Sequence, residues 1–196
     1  MLPKPSKIAK VKHLTAMPYA DVAAFMVALR GKTVVGARAL EWTILSAARS
    51  QETLAAQWSE IDIGKKVWTI PASRMKADAD HRVPLTGRML EILKSLPRGG
   101  NYVFPGQTPS KRASGAVMWF LLRSMTSSGE TVHGFRSSFR DWAAEQTAHP
   151  SDVIEMALAH TIANKVEAAY RRGDLFEKRR QLMADWAAYC SGGALK

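Results

Sequence analysis

Apolar residues recur at helical spacing along most of the chain, and strand-like alternation interrupts this spacing once, near the middle. The first apolar stripe has the spacing i, i+3, i+4, i+7 and consists of Val22, Phe25, Met26 and Leu29. It predicts an amphipathic helix that ends near Gly31. A second helix is expected to end near Arg49, and its apolar face is formed by Leu40, Ile44 and Ala47. A short helical turn is expected around residues 52–58.

The interruption begins at residues 66–71, KVWTIP, whose alternation and content of Trp, Thr and Ile are typical of a strand. Its expected partner is RVPL at 82–85, and the loop ASRMKADADH lies between the two. One pair of strands among helices indicates a mostly helical α+β chain with a small antiparallel sheet.

Helical spacing returns after the strands. One helix is expected to stop at Pro97, and after the apolar run NYVF another is marked by Val117, Phe120 and Leu121. From His133 onward the pattern is helical throughout, with expected starts at Ser151, Asn164 and Asp174. The order of elements therefore predicts helices, then a hairpin, then helices to the end.

The charge of the chain favours a polyanionic partner. Its 28 Lys and Arg against 17 Asp and Glu give a net charge of +11, which attracts phosphate backbones without specifying a sequence. An acidic membrane surface is the weaker alternative, since no stretch concentrates basic residues opposite aromatic ones. No apolar run approaches the roughly 20 residues of a spanning helix, and no secretory signal begins the chain, so a soluble cytoplasmic protein is expected.

The single cysteine, Cys190, excludes an intramolecular disulfide and a cysteine-rich metal site. It is expected to be a buried apolar residue near a helix end.

Two segments carry residues suited to chemistry. VHGFRSSFRDWA, at 132–143, places aromatic residues on one helix face and the stripe His133, Arg136 and Arg140 on the neighbouring face. MALAHTIANKVEAAYRR, at 156–172, places His160 at a helix end and Tyr170 in the next helix. Taken singly, each is as well explained by a solvated charged face or by packing.

Taken in order, Arg49, Lys76, the H-x-x-R pair His133 and Arg136, His160 and Tyr170 resemble the tyrosine recombinase family. That family has an arginine after a helix, a hairpin lysine, an H-x-x-R pair, a His or Trp, and a late nucleophilic tyrosine. The wording NKVEAAYRR looks like that of prophage integrases, and the similarity covers roughly residues 13–172. Ser50 and Gln51 depart from the Pro-Gly that often follows the first arginine.

The resemblance implies the DNA breaking-rejoining catalytic-domain fold over residues 18–196, with residues 1–17 a basic linker or arm and the upstream DNA-binding domains absent. It implies an integrase of a mobile element that cleaves and rejoins double-stranded DNA through a 3′-phosphotyrosyl bond, with no metal or other cofactor. The expected partners are DNA and further copies of the chain, as a tetramer on DNA with weak self-association alone. Accessory DNA-bending proteins are possible further partners, and no membrane partner is expected. The expected location is the cytoplasm, in association with the nucleoid.

The resemblance also assigns roles. Arg49 and Arg136 are expected to bind the phosphate, and Tyr170 to attack it. His133 is the candidate for proton removal and His160 for a hydrogen bond to a non-bridging oxygen, but the sequence does not settle which histidine does which. Lys76 is the expected general acid, and its competitors are Arg74, His81 and Arg82. Glu52 is expected to anchor Arg49 or a neighbouring helix, and Tyr189 to serve packing.

Two other functions fit the same residues less well. A type IB topoisomerase uses similar tyrosine chemistry, but the sequence of the chain around Tyr170 favours an integrase. A non-catalytic DNA-binding module would explain the charge, but the retention of every catalytic position argues against it.

Overall fold

The computed structural model describes residues 15–160 and 173–193. Its helices are α1 Tyr19–Arg30, α2 Val35–Ser46, α3 Ser50–Leu54, α4 Gly87–Ser95, α5 Gly115–Met125, α6 Gly134–Gln146, α7 Ser151–Ala157 and α8 Phe176–Tyr189. Its strands are β1 Ile61–Asp62, β2 Val67–Ile70 and β3 His81–Pro84, and short 3-10 turns cover Trp58–Glu60 and Ala72–Arg74. The mostly helical α+β prediction is confirmed.

The sheet is antiparallel in the order β1-β2-β3. Trp68 pairs with Val83 and Thr69 with Arg82, so the two strands expected from the sequence form the predicted hairpin. The strand β1 was not expected, because two residues are too few to show alternation. The loop between β2 and β3 is held closed by a hydrogen bond of 2.8 Å from the Ala72 N–H to Asp80 Oδ1.

Helix α2 occupies the centre of the domain. It packs against α1, α3, α4, α5, α6 and α8, and residues on all its sides, Trp42 among them, have no exposed surface. It ends at Ser46, earlier than the expected end near Arg49, because Ala47 adopts the left-handed conformation with φ of 51°. The chain turns there, and Arg49 instead becomes the N-cap residue of α3.

Helix α8 closes the core with its own apolar face. Leu182, Met183 and Trp186 are buried, and the Trp186 Nε1–H donates a 2.8 Å hydrogen bond to the carbonyl of Ile44 at the end of α2. Tyr189 packs against Trp186 with nearly parallel rings, so its expected packing role is confirmed. Cys190 is fully buried as expected, and burial raises the pKa of its thiol.

Helix α5 forms where it was predicted, but its predicted inward face is wrong. Met118 and Leu122 are the buried residues, whereas Val117 is 39% exposed and Phe120 64% exposed. Met118 and Leu122 are four apart and so share one stripe, which lies against α2. With apolar residues on both sides of the helix, periodicity alone could not show which side packs.

Packing at the amino end begins before Pro18. The carbonyl of Thr15 accepts a 3.1 Å hydrogen bond from the Thr131 N–H, and the carbonyl of buried Met17 accepts one from Ser138 Oγ. Residues 15–17, which were expected to belong to the linker, therefore contact the domain. The expected helix start at Asn164 lies outside the described residues.

In the described part of the chain, no helix combines the length and the apolar character that crossing a bilayer requires.

A buried carboxylate ties three helices together. Glu41 on α2 has no exposed surface, and it accepts hydrogen bonds of 2.7 to 3.0 Å from Arg30 on α1, Arg38 on α2 and Arg88 on α4. Burial by itself would raise the pKa of this carboxyl, but the hydrogen bonds from Arg88 and Arg30 outweigh it and hold the pKa below its usual value. Glu41 is therefore the shared counter-ion of three guanidinium groups.

We predict that Glu41→Gln lowers the free energy of unfolding by about 3 kcal/mol at pH 7, because it leaves three arginines without their counter-ion. Because the folded-state pKa is depressed, this contribution is present above the unfolded pKa of about 4.3 and is lost as the pH falls through the folded value. Urea unfolding at several pH values measures both effects. Glu177→Gln, on a side chain that is 79% exposed, is the matched control. A loss no larger than the control's would contradict the prediction.

Candidate active site

Arg49 is fixed at the turn between α2 and α3. Its N–H donates to Glu52 Oε2 and its Nη1 to Glu52 Oε1, each at 2.8 Å, while Nη2 lies 3.4 Å from the carbonyl of Ala159. Glu52 is buried, so both of its oxygens are used to orient one arginine. This confirms Glu52 as the anchor of Arg49. The Arg49 side chain remains 30% exposed, which leaves part of its guanidinium open to a ligand.

Arg136 lies on α6 and is 5% exposed. Its Nη1 donates to the carbonyl of Ala47 and its Nη2 to the carbonyl of Leu158 at 2.6 Å, so α6 joins the end of α2 to the end of α7. Burial and the nearby Arg49 cation lower the pKa of Arg136 to about 10, which still leaves it charged at neutral pH. Carbonyls do not neutralise a guanidinium, so two neighbouring cations face the same region and an anion would stabilise both.

His133 begins α6 beside this pair. Partial burial lowers the pKa of its imidazole, and the positive charges of Arg136 and Arg49 lower it further. The ring is therefore more readily neutral than an isolated histidine, and a neutral imidazole can accept a proton.

His160 follows the end of α7 and contacts Arg136 directly. Its Nε2 lies 3.1 Å from Arg136 Nη2, and its Nδ1 lies 2.6 Å from Glu155 Oε2. The other Glu155 oxygen accepts a 2.7 Å hydrogen bond from Arg140 Nε. Sequence reasoning did not single out Glu155. Its signal was a carboxylate five positions before the histidine, which is weak without knowledge of how α7 ends.

Lys76 lies in the β2–β3 loop and is exposed. It borders a hollow of about 380 Å³ that is also lined by Arg49, Gln51, Arg74 and Arg112. The fold therefore brings Lys76 and Arg49 to one hollow. Arg112, just before α5, is a basic residue there that sequence reasoning missed.

The three competitors of Lys76 are each restricted. Arg74 pairs with Glu60, and Arg82 pairs with both carboxylate oxygens of Asp174, at 2.8 and 2.6 Å. Burial, together with the charges of Arg179, Arg136 and Arg49, lowers the pKa of His81 to about 4.

Tyr170 lies outside the described residues. The described residues on either side of its segment, His160 and Gly173, line one hollow of about 320 Å³ together with His81 and Asp174. Asp174 is held there by Arg82 on β3 and by buried Arg179 on α8. Among the described residues, no group of three or more His, Cys, Asp or Glu side chains is placed to hold a metal ion.

Comparison with known proteins points to one family. Residues 16–175 match the model of the phage integrase family. The prophage integrase IntA of Escherichia coli K12 is 38% identical over 151 residues, which are 74% of this chain and 36% of that protein. The integrase of Enterobacteria phage P4 is 32% identical over 92% of this chain and 46% of that protein. The chain thus spans less than half the length of these curated relatives.

Solved structures show the same fold at low identity. The integrase of mycobacterium phage Brujita matches with a TM-score of 0.66 at 17% identity, over 89% of this chain and 59% of that one. A lambda integrase dimer bound to a COC′ core site matches with a TM-score of 0.61 at 17% identity, over 80% of this chain and 62% of that one. The expected catalytic-domain fold is confirmed.

We predict that the His81 imidazole titrates near pH 4, well below the usual value of about 6.5. Below about pH 6.5 the unfolded chain takes up this proton while the folded chain does not, so stability falls as the pH drops from there toward about 4. Histidine NMR titration measures the midpoint directly. His81→Gln should reduce the loss of stability across this window. A midpoint near about 6.5 would show that burial and the neighbouring arginines do not lower the pKa of His81.

Proposed function

The chain belongs to the phage integrase family, and we propose that it forms the catalytic part of a site-specific recombinase that cuts and rejoins double-stranded DNA through Tyr170. One observation above all supports this: Arg49 and Arg136 approach each other with His133 and His160 beside them, and no carboxylate of the described residues hydrogen-bonds Arg136. Such a cluster is built for an anion with several oxygens. A phosphodiester has that character and the chain's charge of +11 favours DNA.

The two arginines would stabilise the transition state. Attack on a phosphodiester places additional negative charge on the non-bridging oxygens, and donors fixed in advance lower the barrier. Arg49 is held by Glu52 and Arg136 by two backbone carbonyls, so neither needs to reorganise when phosphate arrives. Removing either guanidinium should therefore reduce the rate of strand cleavage.

The histidines would divide proton transfer and oxyanion binding. Tyr170 has a reference pKa of about 10, so its attack at neutral pH requires removal of the phenol proton. The lowered pKa of His133 favours it as the acceptor of that proton. The contact of His160 with Arg136 favours a hydrogen bond to a non-bridging oxygen.

Lys76 would protonate the departing 5′ oxygen. Arginine gives up a proton poorly, and Arg74 and Arg82 are already paired with carboxylates. His81, with a pKa of about 4, is almost entirely neutral at neutral pH, so it lacks the imidazolium proton that a general acid would give up. These contacts support Lys76, which is exposed beside Arg49.

The bond energy of the cut strand would be kept in the phosphotyrosyl bond, so rejoining would need no external energy source. We further propose that copies of the chain assemble as a tetramer on DNA and that the residues before Thr15 act as a basic linker. The lambda integrase structure that shares this fold is a dimer bound to a COC′ core site. The names of the curated relatives favour integration over topoisomerase activity.

We predict that Tyr170→Phe abolishes a covalent protein–DNA adduct, because it removes the attacking oxygen. Tyr189→Phe should leave the adduct, since the Tyr189 ring serves packing and its hydroxyl donates to the Tyr19 carbonyl at 3.3 Å. The measurement is a denaturing gel after incubation with a nicked attachment-site duplex, in which the released piece diffuses away and the adduct accumulates. An adduct that persists in Tyr170→Phe would refute the assignment of the nucleophile.

We predict that Lys76→Ala slows cleavage of ordinary DNA but cleaves DNA with sulfur at the bridging 5′ position at nearly the unmutated rate. A thiolate leaves without protonation, whereas an alkoxide does not. Arg49→Ala should stay impaired on both substrates, because it removes stabilisation of the phosphate itself. Single-turnover cleavage rates on the two substrates give the comparison. Equal defects of Lys76→Ala on both would exclude it as the acid.

A further inference from the structure

We propose that Glu155 is a positioning residue that fixes the tautomer and orientation of the His160 imidazole and so holds Nε2 toward the phosphate site. The inference deepens the proposed function and rests on it for its consequence in catalysis. The structural part, the state of the His160 ring, can be tested with no DNA present.

Two bonds hold His160 to Glu155. The side-chain bond joins Nδ1 to Oε2 at 2.6 Å, and the backbone bond runs from the His160 N–H to the Glu155 carbonyl at 3.0 Å. The backbone bond spans five residues, one more than in an α-helix, and Ala159 adopts φ of 49° where the chain turns. This wide turn brings the ring back over the carboxylate of its own helix.

The hydrogen-bonding partners permit one neutral tautomer. An ionised carboxylate only accepts, so the proton of the ring must reside on Nδ1. Nε2 then carries a lone pair, and it faces Arg136 Nη2, which only donates. The other tautomer would place a lone pair against Glu155 and a proton against Arg136, which makes both contacts repulsive.

Glu155 is held in its ionised form by its hydrogen-bond partners. Burial by itself would raise the pKa of its carboxyl, but hydrogen bonds from His160 and Arg140 outweigh burial and lower the pKa. Among the described residues, the charged and titratable groups close to His160 are Glu155 on α7, Arg136 on α6, His133 at the N-cap of α6, and Arg49, whose Nη2 lies near the carbonyl of Ala159. The hollow that His160 lines is also bordered by Asp80, His81, Asp174 and Arg179. Glu155 is the acceptor among them that bonds the ring.

The consequence for catalysis lies in Nε2. When a phosphate is bound and the ring is protonated, Nδ1 still donates to Glu155 and Nε2 donates to the phosphate oxygen instead of facing Arg136 alone. A phosphate oxygen bound there would receive hydrogen bonds from both residues. Without Glu155 the ring could rotate, or take the Nε2–H tautomer that Arg136 repels and turn away, so Nε2 would leave the site for part of the time.

Glu155→Gln is a sharp probe because glutamine has one acceptor oxygen for two donors. Arg140 Nε and His160 Nδ1 would compete for that oxygen. The side chain that does not bind the oxygen would face the amide N–H₂ group. If the oxygen goes to Arg140, His160 must take the Nε2–H tautomer. Adding Arg140→Ala frees the oxygen for His160, so the double variant should recover the original tautomer.

The first measurement is ¹⁵N NMR of the His160 ring in the chain without DNA, at a pH well above the usual histidine pKa of about 6.5. The unmutated chain should show the proton on Nδ1. Glu155→Gln should shift the population toward the Nε2–H tautomer, and Glu155→Gln with Arg140→Ala should restore the Nδ1–H tautomer. Glu177→Gln, a surface carboxylate that pairs with Arg180, is the control and should leave the ring unchanged. An unmutated ring protonated on Nε2 would overturn the proposal without any variant.

The second measurement is single-turnover formation of the covalent adduct. At saturating DNA, Glu155→Gln should reduce the rate of adduct formation by about 10- to 100-fold, which is the typical loss when an orienting partner of a histidine is removed. The DNA concentration that gives the half-maximal rate should change by less than about twofold. The double variant should regain most of the rate. An unchanged rate in Glu155→Gln, or a loss that the double variant does not relieve, would contradict the proposal.

The measurements distinguish a failure of the proposed function from a failure of the positioning role of Glu155. If the unmutated chain forms no adduct while the NMR pattern holds, the proposed function fails and the positioning of His160 stands. If the unmutated chain forms the adduct while Glu155→Gln keeps both the tautomer and the rate, the proposed function stands and the positioning role fails.

Discussion

The rest of the structure depends on the buried guanidinium of Arg136. It contacts the carbonyl of Ala47 where α2 turns, the carbonyl of Leu158 where α7 ends, and the ring of His160 beyond that end. Three segments that are far apart in sequence therefore meet at one cation. Because backbone carbonyls satisfy its N–H groups without neutralising its charge, the same residue joins the helices and supplies positive charge to the site.

Much of the fold could be predicted from the sequence because local rules agree with packing over most of its length. The stripe of α1 is buried residue for residue, and the hairpin pairs as its alternation predicts. Prediction was wrong where two local signals competed. Phe120 and Val117 compete with Met118 and Leu122 for the inward face of α5, and contact with α2 decides between them. The left-handed turn at Ala47 was not visible either, since alanine gives no local signal for it.

The candidate site divides in a similar way. The structure brings Arg49, Arg136, His133 and His160 together and places Lys76 in the hollow beside Arg49, as the order of motifs implied. What the motifs could not give is how each group is partnered. Arg74, Arg82 and Lys76 all carry a positive charge, and the sequence does not distinguish their surroundings. In the structure Arg74 and Arg82 have carboxylate partners, whereas Lys76 is exposed at the hollow. Glu155 and Arg112 were missed because their relevance follows from chain turns and not from spacing.

The charge clusters around Glu41 and Arg136 differ in a way that explains their different uses. At Glu41 three arginines share one fully buried carboxylate and hydrogen-bond both of its oxygens, so each cation already has its counter-ion and the cluster serves to join α1, α2 and α4. At Arg136 the acceptors among the described residues are neutral, and the carboxylates of Glu52 and Glu155 are committed to Arg49, His160 and Arg140. The second cluster thus keeps an excess of positive charge in a partly desolvated place, which costs stability in the free protein. A phosphate bound there would supply the missing negative charge, and for that reason the folded domain favours an anion at the site whose oxygens match two guanidinium groups and an imidazole.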